Sequence, residues 1–286
     1  MAIELEFLSI DDALDENGVK ILVHGPAGVG KTVLAITTGK PTVLISAESG
    51  LLSLKKALKS LPDFYRKLIK VVKITSIEEL EKVYDILESD KVCDWICLDS
   101  ITEIAEQVLS QEKKNAKDPR AAYGNMQERI INILKSFRDL DGYNVLMTCK
   151  QKREKDEDSG KTLYIPLMPG NLLGQNLPYL FDEVFALRVE KDKNGDTYRI
   201  LQTDLDGKYE AKDRSGELDL FESPNLKKIE QKILGDDYEE YIPKAKAESV
   251  KEEQEIEEEN EQVQESEVEE VISEEETQTE TTNEGK

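Results

Sequence analysis

One short stretch, HGPAGVGKT at residues 24–32, constrains the fold of this 286-residue chain more than any other feature. Its last eight residues match the pattern GxxxxGK[ST], in which glycines let backbone N–H groups wrap a phosphate chain. An apolar run at 20–23 precedes the motif and predicts a buried strand, while residues 31–38 predict a helix that ends before Gly39 and Pro41. A strand, a loop and a helix in this order are the context that the motif requires.

Beyond the motif, short apolar runs alternate with helical patterns. The predicted strands lie at 42–47, 71–74, 95–99 and 144–149, and the predicted helices lie at 50–61, 77–87, 101–109 and 127–140. This alternation predicts an α/β fold with a mostly parallel sheet and helices on both faces. Two further strands, at 183–190 and 197–203, flank Asn194-Gly195, a hairpin signal that extends the sheet with antiparallel strands. A last helix is predicted at 223–234.

Negative charge is concentrated at the C-terminal end of the sequence. The formal net charge is −23, of which −15 falls in residues 248–286 and −8 in residues 1–247. The acidic segment holds seventeen Glu and no aromatic residue, so it cannot bury enough apolar area to offset its ordering entropy. The sequence therefore predicts an N-terminal segment at 1–18, one α/β domain at 19–240 and a disordered acidic tail at 241–286.

Composition also indicates where the protein works. No run of 18 apolar residues occurs and the N-terminal residues are acidic, so we expect no membrane span, no secretion signal and a cytoplasmic location. Cys93, Cys97 and Cys149 lie in apolar runs and are expected to be reduced core thiols rather than disulfides or zinc ligands. His24, the only histidine, is expected to be a packed residue at the end of a strand.

The motif predicts a site for ATP and Mg²⁺. Lys31 would reach the β- and γ-phosphates, and Thr32 would hold Mg²⁺. Asp99 ends the predicted strand 95–99 and would add a carboxylate to the magnesium shell, although it could also cap the helix that follows. The residues predicted to line the nucleotide are Gly25, Pro26, Ala27, Gly28, Val29, Gly30, Lys31, Thr32 and Val33.

Polar residues at the ends of two other predicted strands are candidates for hydrolysis. Glu48 follows strand 42–47 at the edge of the sheet where ligands collect, and it could activate the attacking water. The alternative is an ordinary surface carboxylate. Lys150 and Gln151 follow strand 144–149, and either of them could sense the γ-phosphate.

Taken together, these segments resemble the RecA-type ATPase core over residues 19–235. They are most similar to the phage-encoded, ATP-binding recombinases of the RecA-like single-strand annealing type. The resemblance rests on GPAGVGKT, SAESGL, LDSITE, PLMPG…LP…FDEV and AKDRSGELD. It implies that Glu48 activates water, that Asp99 belongs to the magnesium strand, and that Lys150 or Gln151 is the γ-phosphate sensor.

The resemblance also implies a homo-oligomer with ATP between subunits. Replicative hexameric helicases of this class reach the γ-phosphate with a Lys-x-Arg pair from the neighbouring subunit. Lys212 and Arg214 fall at the corresponding place, after the predicted hairpin, and residues two apart on a strand point to one face. Such a pair would stabilise charge in the transition state. The acidic neighbours Glu210, Asp213 and Glu217 leave an exposed hairpin of alternating charge as the alternative.

RecA-like proteins contact DNA through two loops, which correspond here to residues 111–124 and 150–164. The basic residues of the first are Lys113, Lys114, Lys117 and Arg120. Those of the second are Lys150, Lys152, Arg153 and Lys155, and the segment ends at Tyr164. Basic side chains with an aromatic ring suit single-stranded DNA. Solvated loops are the alternative, because the domain is acidic as a whole.

The sequence therefore predicts an ATP-hydrolysing, RecA-like phage protein that binds single-stranded DNA and promotes annealing or recombination in the host cytoplasm. One alternative is a helicase-type motor or a helicase loader. Another is a nucleotide-dependent switch that acts only on protein partners. The acidic tail could keep the chain in solution, fold back on the basic loops or recruit a basic protein partner.

Overall fold

The computed structural model describes residues 18–48, 50–155, 160–235 and 238–239. The chain divides into two units, Met1–Tyr238 and Glu239–Lys286, and all elements named below belong to the first. The predicted tail at 241–286 and residues 1–17 of the predicted N-terminal segment lie outside the described residues, so what was expected of them stays a prediction.

Within the described residues, nine strands form one sheet. The strands are β1 (Lys20–His24), β2 (Thr42–Ser46), β3 (Ile69–Lys73), β4 (Trp95–Asp99), β5 (Asn144–Lys155), β6 (Thr162–Leu167), β7 (Glu183–Lys191), β8 (Thr197–Gln202) and β9 (Phe221–Glu222). Their order is β3-β2-β4-β5-β1-β7-β8-β9, with β6 paired to β5. The pairs from β3 to β7 are parallel, and the pairs made by β6, β8 and β9 are antiparallel. The predicted fold class is confirmed.

Helices cover both faces of this sheet. The α-helices are α1 (Lys31–Leu34), α2 (Leu54–Ser60), α3 (Asp63–Leu68), α4 (Ile77–Ser89), α5 (Ile101–Asn115), α6 (Pro119–Arg138), α7 (Asn171–Asn176) and α8 (Leu226–Leu234), and the 3-10 helices are Gly50–Ser53 and Leu177–Leu180. Successive strand residues point to opposite faces. Leu22 accordingly packs in one core with α4, α5 and α6, while Ile21 and Val23 pack in a second core with α1, α2 and α8.

The helix after the phosphate-binding motif is shorter than predicted. It was expected at 31–38, but α1 ends at Leu34. The cause is a tertiary contact at Thr37, whose side-chain hydroxyl accepts from the backbone N–H of Leu226 and whose carbonyl accepts from that of Lys227. These bonds hold residues 35–38 as a turn against the start of α8. A helix of four residues has little macrodipole, so backbone N–H groups must provide most of the attraction for a phosphate.

Neither basic segment is a long loop, which corrects the prediction for 111–124 and 150–164. Helix α5 continues to Asn115 and α6 begins at Pro119, where Asp118 caps it by accepting from the backbone N–H of Arg120 at 2.9 Å. Proline is well tolerated in the first turn of a helix, so the predicted break shrinks to residues 116–118. The second segment belongs to the antiparallel strands β5 and β6. Between them, residues 160–161 are not in a strand, and residues 156–159 lie outside the described residues.

Candidate nucleotide site

A cavity of about 930 Å³ opens at the carboxyl edge of the sheet, next to the end of β1. Every residue of the predicted phosphate-binding set lines it except Val29, whose side chain is buried in the core that contains α1. Glu48, Asp99, Lys150 and Gln151 also line the cavity. The structure therefore brings together the residues that the sequence assigned to the nucleotide, the metal and the water.

Two glycines show why the loop needs its sequence. A Cβ atom on Gly25 would lie 2.8 Å from the carbonyl oxygen of Leu187, which is closer than a side chain can approach. Gly30 has a φ of 112°, a conformation that L side chains rarely adopt. Substitution of either glycine would therefore displace the loop backbone, whose N–H groups are the expected phosphate ligands.

Lys31 reaches back across the loop. Its ammonium donates to the carbonyl oxygens of Gly25 and Pro26, at 2.8 and 3.1 Å. Burial lowers the pKa of Lys31 below the ordinary value of a lysine. An anion in the cavity would favour the charged ammonium, so this side chain is suited to bind phosphate oxygens.

Thr32 and Asp99 are in direct contact. The Thr32 hydroxyl donates to Oδ2 of Asp99 at 2.7 Å, and the Thr148 hydroxyl donates to Oδ1 at 2.5 Å. Asp99 is buried at the end of β4, with 3% of its surface exposed. Hydroxyl and carboxylate oxygens are the ligands that Mg²⁺ prefers, usually together with water and phosphate oxygens. Thr32 and Asp99 therefore fit the predicted metal; Thr148, which orients Asp99, was not predicted.

Glu48 is held beside the metal residues by Ser100, which was not predicted as a site residue. The Ser100 hydroxyl donates to Oε1 of Glu48 at 2.6 Å. The same oxygen of Ser100 accepts from the backbone N–H of Glu103 and so caps α5. The alternative that Asp99 caps this helix is therefore wrong.

Lys150 and Gln151 line the cavity but differ in how they are held. The Lys150 ammonium is paired with carboxylates of α5, 3.1 Å from Glu103 and 2.8 Å from Glu106. Gln151 instead contacts His24, with 3.1 Å between its Oε1 and Nδ1 of the ring. The choice of γ-phosphate sensor between these two residues stays open.

His24 is packed at the end of a strand, as expected. It is fully buried, and its Nε2 donates to the carbonyl oxygen of Glu210 at 2.7 Å. Burial lowers the pKa of His24 to about 4, so the ring is neutral near pH 7. Because Nε2 carries the proton, Nδ1 is an acceptor, and the amide NH₂ of Gln151 is the group suited to donate to it. The histidine thus links the cavity to the segment that contains Lys212.

Lys212 and Arg214 do not line the cavity of their own chain. The Lys212 ammonium donates to the carbonyl oxygens of Pro178 and Phe181, and Arg214 is paired with Asp182 at 3.1 Å. Backbone hydrogen bonds join Lys212 to Val184 of β7 as an isolated bridge. Residues 212–214 are therefore not part of a longer strand. Their action in the site of a neighbouring subunit stays a prediction.

One cavity residue comes from an element that the sequence did not connect with the site. Arg199 of β8 lines the cavity and its Nε donates to the carbonyl oxygen of Val29 at 2.6 Å. A single arginine in a hairpin strand carries no motif, so only the folded structure reveals this contact.

The two basic segments differ in how their charges are used. In the first, Lys113, Lys114, Lys117 and Arg120 are exposed, and the Lys113 ammonium lies 5.0 Å from the ring centroid of Tyr123. In the second, Lys152 forms an ion pair with Glu154 at 2.7 Å. Lys150 is likewise paired, with the two carboxylates of α5. Tyr164 is stacked on Tyr209 with 4.7 Å between ring centroids, so one of its faces is already covered.

Strand β5 lies between β1, which leads into the phosphate loop, and β4, which ends at Asp99. This strand order and the cavity together define a P-loop ATPase with a RecA-like core, as predicted. A family model agrees with the P-loop ATPase class. The model described as an AAA domain matches residues 17–215, and the chain belongs to this family.

Among solved structures, the crystal structure of the RadB recombinase is similar to this chain at 18% sequence identity. The match covers 68% of this chain and 93% of that one, with a TM-score of 0.40. A search of curated proteins found no match. No helix in the described part of the chain combines the length and the apolar character needed to cross a membrane.

Proposed function

We propose that this protein binds ATP with Mg²⁺, hydrolyses it, and binds single-stranded DNA to promote annealing or recombination. One observation carries the ATP part of the proposal. A single cavity contains the Lys31 ammonium, the contact between Thr32 and Asp99, and the Glu48 carboxylate held by Ser100. These are the groups that hydrolysis of a nucleoside triphosphate requires.

Each group has a distinct part in the proposed reaction. Backbone N–H groups of the loop and the Lys31 ammonium bind the phosphate chain and offset its negative charge. Bound Mg²⁺, held by Thr32 and Asp99, would neutralise charge on the phosphate oxygens. The Ser100 hydroxyl fixes Oε1 of Glu48, which leaves Oε2 to orient a water and accept its proton.

The DNA part of the proposal is supported mainly by the first basic segment. Its four exposed cations lie at the end of α5 and the start of α6, and no ion pair to a described residue is seen for Lys113, Lys114, Lys117 or Arg120. Surface cations without an ion pair are available for phosphates, and Tyr123, 39% exposed with the Lys113 ammonium 5.0 Å from its ring centroid, is the aromatic side chain beside them. Tyr164, with one face covered, supports the proposal less.

Three further proposals concern the setting of this activity. A homo-oligomer would place Lys212 and Arg214 of one subunit at the ATP of the next. The acidic tail would restrain the basic segments or bind a protein partner. The protein would act in the cytoplasm, which is that of the host if the chain is phage-encoded.

The test is ATP hydrolysis by the purified protein with and without single-stranded DNA, at low salt because phosphate contacts are screened. Lys31→Ala should lose nucleotide binding and controls for contaminating ATPases. Glu48→Gln should bind ATP but hydrolyse it about 100-fold or more slowly, as loss of a general base predicts. Stimulation of the wild-type protein by DNA, absent in both variants, is the expected result.

Other outcomes favour the other functions. Hydrolysis that is indifferent to DNA would contradict the DNA proposal and favour a switch that acts on protein partners. Directional movement along DNA would favour a helicase-type motor, and stimulation that requires a helicase would favour a loader. Nucleotide binding that persists in Lys31→Ala would contradict the assignment of the site itself.

A further inference from the structure

Arg199 approaches the phosphate loop from outside the elements that carry the motif. It lies on β8, opposite Val189 of β7, and its Nε donates to the carbonyl oxygen of Val29 at 2.6 Å. Its side chain also covers the next residue of the loop. A Cβ atom built on Gly30 would lie 3.4 Å from Nε and 3.5 Å from Cδ of Arg199. Arg199 is exposed, and the bond from its Nε holds the guanidinium against the loop backbone at the wall of the cavity.

Most of the hydrogen-bonding capacity of this guanidinium is unused. Among the described residues, its terminal Nη atoms make no hydrogen bond or ion pair. Arg188 on the neighbouring strand provides a contrast, because Glu190, Gln202 and Asp206 surround it. An arginine that lines a cavity with free N–H groups has the geometry for bidentate binding of an anion, and phosphate is the anion that this loop is built to hold.

The sheet order determines which phosphates Arg199 can reach. Strand β1, which leads into the loop, lies between β5 on one side and β7 on the other. Asp99 of β4 and Gln151 of β5 approach the cavity from the first side, while Arg199 of β8 approaches from the second. Bound Mg²⁺ would bridge the β- and γ-phosphates, so the metal residues mark the γ-phosphate end of the chain of phosphates. Arg199 therefore lies on the side away from that end.

We infer that Arg199 is a nucleotide-binding residue that contacts the α- and β-phosphates in its own subunit. This inference rests on the proposed binding of ATP. It differs from the proposed action of Lys212 and Arg214, because Arg199 lines the cavity of the chain that carries it. The contact sets the affinity for ADP as well as ATP and needs neither DNA nor a second subunit.

The test is calorimetric titration of ATP and ADP into dilute, DNA-free protein. Arg199→Ala should raise the Kd of both nucleotides by a similar factor, about tenfold or more, as loss of a charged hydrogen bond predicts. Arg199→Lys keeps the charge and should retain part of the affinity. Lys193→Ala removes an exposed cation from the turn of the same hairpin and should bind both nucleotides like the wild type.

Arg199→Gln separates a phosphate contact from support of the loop. Glutamine can still donate to the Val29 carbonyl but has no charge, so we expect weak binding of both nucleotides. Full affinity in this variant, or in Arg199→Ala, would overturn the inference. An effect on ATP alone would overturn the assignment to the α- and β-phosphates. If the wild-type protein binds neither nucleotide, the proposed function fails together with the inference.

Discussion

Glu183 is a buried carboxyl group with a direct effect on stability. It begins β7 with 2% of its surface exposed, and its Oε1 accepts from the backbone N–H of Ser215. Its Oε2 is buried and has no hydrogen-bond partner among the described residues. Burial, and next the charge of Asp213, raise the pKa of Glu183 to about 8. The folded protein thus keeps a proton that the unfolded chain releases near pH 4.5.

This proton predicts how stability depends on pH. Between about pH 4.5 and 8 the folded state binds more protons at Glu183 than the unfolded state, so its contribution to stability falls as pH rises. Glu183→Gln cannot ionise, so between pH 5 and pH 8 its free energy of unfolding should gain about 3 kcal/mol relative to the wild type. Urea unfolding at both pH values measures this. Glu217→Gln, an exposed change nearby, should keep the wild-type slope, and the same slope in Glu183→Gln would contradict the prediction.

At the same scale, the sequence predicts residues that end strands and misses residues that act through tertiary contacts. Glu48 and Asp99 were predictable because the carboxyl ends of parallel strands meet at one edge of a sheet. Ser100, Thr148 and Arg199 were not, because a hydroxyl or a guanidinium acquires its partner only when distant segments pack. Arg199 lies 170 positions from Val29, and no local pattern links the two.

Among the elements, those with a strong local pattern were predicted well. Strand β4 was predicted at 95–99 and is observed there, and helix α4, predicted at 77–87, is observed at Ile77–Ser89. Strand β6 was missed because its pairing with β5 lies in a segment whose basic residues resemble a solvated loop. Helix α1 was predicted too long because Thr37 accepts a hydrogen bond from the backbone of α8, at Leu226, and does not continue the helix.

The junction of α5 and α6 carries the prediction about DNA. Reversing two charges there, with Lys117→Glu and Arg120→Glu together, should weaken binding of single-stranded DNA by roughly tenfold or more at low salt. The slope of log affinity against log salt should also become shallower, because fewer phosphates are neutralised. Fluorescence anisotropy with a labelled oligonucleotide measures both quantities.

A matched control exists outside the two basic segments, on α3 and β3. Lys67 and Lys70 are exposed on α3 and β3, and reversing both makes the same change in net charge. This control should bind DNA nearly as the wild type does. If both double variants lose affinity equally, the effect is one of net charge, and the junction of α5 and α6 is not the DNA site.

For the whole molecule, the separation of Lys212 and Arg214 from the cavity predicts cooperation between subunits. The Arg214 guanidinium is 54% exposed and paired only with the half-exposed Asp182 among the described residues, so it can turn toward another chain. Lys212 is tied to the carbonyls of Pro178 and Phe181 and would have to leave them. Arg214 is therefore the better residue to test.

Mixing two inactive variants tests this arrangement. Lys31→Ala removes the phosphate-binding amine from a subunit's own site, and Arg214→Ala removes the group proposed to act on the neighbour. Each variant alone should hydrolyse ATP slowly, because every interface lacks one partner. In an equal mixture, about a quarter of the interfaces combine an intact Lys31 with an intact Arg214, so activity should reappear. Steady-state hydrolysis before and after mixing measures it, and a mixture no more active than its components would contradict the shared site.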